Sequence, residues 1–133
     1  MRRILIAGSR PPDRSKLSIE GQRAWAALET RCANFVTELG PHVLVVTGGA
    51  YGIDRVAEEA AAKALIHCAV VRVPPAAWRK VGKKAGIIRD SIMLNLCEEV
   101  AVFRFNGSAG STYVLEAARA ADKLTHIDDV VAR

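Results

Sequence analysis

The chain has 133 residues, half of them hydrophobic and only 5% aromatic, with a net charge of +5 from 19 basic and 14 acidic side chains. That length fits one domain over residues 1–133, large enough to bury roughly two-thirds of its unfolded surface. No apolar run approaches the roughly 20 residues of a membrane span, and three widely spaced cysteines, Cys32, Cys68 and Cys97, exclude a disulfide framework.

Met1-Arg2-Arg3 passes directly into a strand, Arg3–Ala7, too short to be the apolar region of a signal peptide. Gly8, Ser9 and Arg10 follow it. Pro11 and Pro12 forbid an immediate helix. The first helix begins near Ser18, a good N-cap. Its apolar face is Ala24, Leu28, Cys32, Phe35 and Leu39, and Gly40-Pro41 ends it.

Val43–Thr47 is a short β-branched run, which suits a buried parallel strand. Gly48, Gly49, Ala50, Tyr51 and Gly52 then turn the chain into a helix over about Gly52–Ile66. Free amides and the positive dipole end gather at such a helix start, and glycine lets the backbone approach an anion. The turn is therefore a candidate phosphate or ribose cradle, although glycines also serve a plain strand-to-helix turn.

A third strand, Cys68–Val73, stops at Pro74-Pro75. A basic loop from Trp78 through Arg79, Lys80, Lys83 and Lys84 leads into a helix over Ile87–Cys97, with Ile88, Ile92, Leu94 and Leu96 as its apolar residues. The fourth strand is Val100–Phe105. A second small-residue turn, Asn106–Thr112, holds Gly107, Gly110, Ser111 and Thr112. A helix over Tyr113–Lys123 and a last strand, Ile127–Val131, complete the chain.

Five strands alternating with four helices predict an α/β, Rossmann-like, three-layer domain with a mostly parallel sheet in the order 3-2-1-4-5. That order brings three turns together at the strand C-termini: Gly8–Arg10, Thr47–Gly52 and Gly107–Thr112. They predict a donor-rich rim for a phosphate-bearing small molecule. His42, His67 and His126 fall at the opposite end of the sheet, as surface residues. No metal spacing appears and no cofactor is required, so the expectation is a cytoplasmic protein with buried thiols.

Four motifs run in order over nearly the whole chain. They are Gly8-Ser9-Arg10, Gly48-Gly49-Ala50-x-Gly52-x-Asp54-Arg55, Trp78-x-x-x-Gly82-Lys83-x-Ala85-Gly86-x-x-Arg89 and Gly110-Ser111-Thr112. Together they resemble the SLOG superfamily of Rossmann-like domains, and within it the small single-domain YspA-like branch. That superfamily also holds the Lonely guy phosphoribohydrolases and the DNA-processing protein A family. The resemblance implies a nucleotide or nucleotide-derived ligand, and a homodimer or higher homo-oligomer. It makes Arg89 a candidate phosphate clamp. Gly48–Asp54 is similar to the Gly-x-Ala-x-Gly-Ile-Asp pattern of the DNA-processing proteins.

The Lonely guy pattern Gly-Gly-x-Gly-Thr-x-x-Glu departs here. Val114 stands where the Glu belongs, and Glu116 lies roughly 200° round the helix from it. An N-glycosidic hydrolase acting on nucleoside monophosphates would need Glu116 or Asp54 as its carboxylate. Asp54 otherwise stabilises a helix start, and Glu116 otherwise sits on a solvated face. Trp78 is either a base-stacking ring or a loop anchor. The basic Arg79–Lys84 cluster leaves single-stranded nucleic-acid binding as a further alternative.

Overall fold

The computed structural model describes all 133 residues. β1 (Arg2–Gly8) places Ile4 and Ile6 on one side of the sheet and Leu5 and Ala7 on the other, all buried. This two-sided burial is why β1 reads as a continuous apolar run, and it fixes β1 at the centre. β2 (Val43–Thr47) and β3 (His67–Val70) lie to one side of it, and β4 (Glu99–Phe105) and β5 (Leu124–Val130) to the other. The sheet order is β3-β2-β1-β4-β5, every pairing parallel, as the alternation of elements predicted.

Each face carries its own half of the core. α1 (Ile19–Thr37) and α2 (Ile53–Lys63) cover one side through Trp25, Leu28, Cys32, Val36, Ile53 and Ala57. α4 (Lys84–Leu96) and α5 (Ala109–Ala120) cover the other through Met93, Leu94, Val114, Leu115 and Ala118. α1 starts where expected: the Ser18 hydroxyl accepts the Gly21 N–H at 3.0 Å. Its buried face is centred on Trp25 and Val36, with Ala24, Phe35 and Leu39 at the margin.

Several expectations need correction, among them the third strand, which ends at Val70 rather than Val73. The basic loop is helical: α3 (Pro75–Val81) begins at the proline pair, since proline suits a first helical turn, and α4 begins at Lys84. α5 starts at Ala109, so Gly110, Ser111 and Thr112 form its first turn rather than a preceding loop. On α4 only Leu94 of the expected apolar set is buried; Ile88 is 53% exposed and Ile92 48%, because Met93, Leu94 and Cys97 already fill the contact with the sheet. His126 is not a free surface residue: its ring lies 4.5 Å from that of Phe35 and 5.3 Å from that of Phe103, whereas His42 and His67 are exposed.

β5 begins three residues before the expected start, at Leu124. It tolerates Asp128 and Asp129 because it is an edge strand and each carboxylate meets an arginine, Arg31 at 2.6 Å and Arg104 at 2.6 Å. No helix is long and apolar enough to cross a membrane.

Candidate functional site

The ends of β1, β2 and β4 open into a cavity of about 300 Å³. All three small-residue turns reach it. Gly8, Ser9 and Arg10 come from the first, Gly48 and Ala50 from the second, and Ser108, Gly110 and Ser111 from the third. Asp54 at the start of α2 and Arg89, Asp90 and Met93 of α4 close it.

A chain of hydroxyls ties the first turn to the third. The Phe105 N–H donates to Ser9 Oγ at 2.7 Å, Ser9 Oγ meets Ser108 Oγ at 2.6 Å, and Ser108 bonds Ser111. Ser9 and Ser111 are both buried, so this chain holds the rim at fixed spacing. The first intrahelical bond of α5 runs from the Thr112 N–H to the Ser108 carbonyl at 3.0 Å. The amides of Ala109, Gly110 and Ser111 precede it and have no acceptor within the helix, and no side chain caps them. They stand at the positive end of the α5 dipole, on the cavity rim.

The start of α2 is arranged differently. The Ile53 N–H donates to the Ser9 carbonyl at 3.2 Å, and Asp54 Oδ2 accepts the N–H groups of Gly48 and Ala50, each at 3.2 Å. The glycine turn thus holds its own carboxylate where a ligand anion was expected. The pattern Gly48–Asp54 is a turn that caps itself. Gly48 and Gly49 instead make room for arginines. A Cβ on Gly48 would lie 3.0 Å from Cζ of Arg89, and one on Gly49 would lie 3.1 Å from Cγ of Arg72.

Arg89 is half-buried between two acids. It donates to Asp90 Oδ1 from Nη2 at 3.0 Å and from Nε at 3.2 Å. Burial pushes the Asp54 carboxyl up to about 6, against the two backbone N–H bonds and the nearby Arg89 charge, which pull it down. Burial also raises Asp90, and Arg89 opposes that shift. The site combines anion-seeking amides on α5 with two buried carboxylates that have unused acceptor capacity for hydroxyls.

No family model and no curated protein matches the sequence. Solved structures do. DNA processing protein A from Streptococcus pneumoniae superposes with a TM-score of 0.64 at 20% identity, over 94% of this chain and 50% of its own. The chain shares the fold of DNA processing protein A. The Helicobacter pylori protein of that name, in a study of its single-stranded DNA binding mode, gives a TM-score of 0.62 at 16% identity over 94% of this chain and 64% of its own. The structural-genomics target TM1055 gives 0.60 at 16% identity, over 93% and 72%. The α/β, Rossmann-like fold expected from the sequence is thus matched in solved structures. This chain spans about half the length of the S. pneumoniae DNA processing protein A, and at these identities the likeness is one of fold.

Within that fold, Gly8, Ser9, Arg10, Gly48, Asp54, Arg89, Gly110 and Ser111 meet around one cavity. Four other candidates do not line it. Gly49 borders a neighbouring cavity. Gly52, at φ +90°, packs against the backbone of Ser9 and Arg10. Gly107, at φ +60°, shapes the turn. The Thr112 hydroxyl accepts from Arg104 at 3.0 Å. Glu116 is exposed and outside the cavity, while Val114 is buried in its wall. Sequence reasoning missed Asp90 and Ser108. Asp90 stood next to Arg89 as an adjacent opposite charge, a signal that only its burial makes significant.

Proposed function

We propose that this protein binds a nucleotide or nucleotide-derived ligand through phosphate and ribose in the cavity at the strand ends. The observation that carries this reading is the open first turn of α5. Its amides, with Arg10 across the rim, suit a phosphate, and the Asp54 and Asp90 carboxylates suit sugar hydroxyls. Thermal melting with ribose 5-phosphate, nucleoside monophosphates and ADP-ribose tests it. A ligand at a hundredfold excess over its Kd stabilises by about 2.7 kcal/mol, a rise of several degrees for a chain of this size. No shift with any of them overturns the proposal.

A hydrolytic reading rests on the place of Asp54 in the cavity wall, where burial pushes its carboxyl up to about 6. A carboxyl in that range serves as a general acid or base near neutral pH. Water would add across the N-glycosidic bond, hydroxyl to the sugar carbon and proton to the base. Free base released from a nucleoside monophosphate, and lost in Asp54→Asn but kept in Glu116→Gln, would establish it. Single-stranded DNA binding, which the H. pylori neighbour's study names, predicts instead an affinity that falls steeply with salt. Self-association belongs to the same proposal: Ile88, Ile92 and Leu96 form an exposed row on α4, and sedimentation velocity reports whether a second copy covers it.

A further inference from the structure

A second cavity, of about 270 Å³, adjoins the first and shares Arg10, Gly48, Ala50 and Arg89 with it. Its remaining walls include Tyr51, Arg72 and Trp78. Aromatic side chains are scarce in this protein. Trp25, Phe103 and Phe105 are buried in the core and Phe35 packs against it. Of the three that the core does not use, Tyr51, Trp78 and Tyr113, two line this one space, from two separate elements. Both rings are positioned. The edge of the Trp78 indole rests over Gly86, where a Cβ would lie 3.2 Å from it. The Tyr51 ring carries the Arg55 guanidinium 5.0 Å from its centroid. The Arg72 side chain crosses the surface of Gly49, and neither Arg72 nor Arg10 has a carboxylate partner, whereas Arg89 is held by Asp90.

Two rings and two unpaired guanidiniums beside a phosphate site match one chemistry. A planar π-system stacks on indole or guanidinium faces, here Trp78 and Arg72, and Arg10, which lines both cavities, balances the phosphate on the sugar that carries the base. We propose that the second cavity is a nucleobase subsite, and that the ligand extends from the amides of α5 past Arg10 to stack on Trp78. This rests on the phosphate reading above and adds the requirement for a base.

Calorimetry with ribose 5-phosphate and AMP separates the two claims. AMP is expected to bind about tenfold more tightly than ribose 5-phosphate. Trp78→Ala and Arg72→Ala should each erase most of that advantage while leaving ribose 5-phosphate within about twofold. Trp78→Phe, which keeps a stacking face, should retain it. In a Trp25→Phe background, AMP should quench the Trp78 emission and ribose 5-phosphate should not. Equal binding of the two ligands, or an AMP advantage that survives Trp78→Ala in a folded variant, overturns the subsite and leaves the phosphate site standing. Binding of neither overturns both. Quenching by a single-stranded oligonucleotide but not by AMP assigns the rings to a strand and overturns the nucleotide assignment.

Discussion

The Arg89 guanidinium lies across Gly48, close enough that a Cβ there would come within 3.0 Å of both Cζ and Nε. This contact links the turn after β2 to α4, two elements 41 residues apart, and Arg89 Nη1 also reaches the Gly48 carbonyl at 3.5 Å. Gly48 has an ordinary negative φ, so alanine there strains no backbone. Gly48→Ala should displace Arg89, weaken ligand binding about tenfold, the scale of one charged hydrogen bond, and lower the melting temperature because the buried Asp90 loses its partner. Titration calorimetry beside a melting curve checks both parts.

Gly8→Ala should act on stability instead. A Cβ at position 8 overlaps the Phe103 carbonyl oxygen and lies 2.6 Å from the Ile53 side chain. Those atoms belong to the central sheet and the buried start of α2, which cannot yield cheaply. The expected cost is about 1–3 kcal/mol or more, measured as a lower urea midpoint.

Asp54 sets a pH dependence of stability. Its folded carboxyl titrates at about 6 rather than at the ordinary 3.8, chiefly because it is buried. Between those values the folded chain holds the proton that the unfolded chain has released, so stability falls as pH rises through this window. At about 1.36 kcal/mol per pH unit the loss is about 3 kcal/mol. Asp54→Asn keeps an oxygen for the Gly48 and Ala50 amides but does not titrate. Its urea midpoint should therefore change less than that of the parent between pH 4 and pH 7. Parallel slopes would show that Asp54 does not titrate in this window.

Ser9→Ala removes the first hydroxyl of the chain, the one that joins the Phe105 amide to Ser108. The Phe105 N–H loses its acceptor at a buried position, and Ser108 loses one partner. A loss of about 1–3 kcal/mol is expected. Hydrogen exchange at the Phe105 amide should speed up more than exchange in the middle of β2.

The sheet was legible because its signals are local. Ile4–Ala7 and Val43–Val46 are apolar on both faces, and a parallel central strand requires that. The convergence of three turns followed from strand order alone, since right-handed crossovers put the C-termini of β1, β2 and β4 side by side. Helix starts were less legible. Pro75 opens α3 and Ala109 opens α5, because a first turn needs no preceding amide bonds and so tolerates proline and small residues. Val114 lies buried in the cavity wall, one turn into α5, where helix periodicity turns it inward.

Sequence by itself determined which residues sit at the strand ends, because chain connectivity and burial leave the parallel sheet little choice. It did not determine which of their polar groups stay open. The amides after β2 close on Asp54, while those opening α5 meet no side chain. Both turns look alike as strings of small residues. Asp54 folds back onto its own turn over four to six residues, but only tertiary packing brings an arginine from another helix across that turn, since that contact joins groups 41 residues apart with no periodic signal between them.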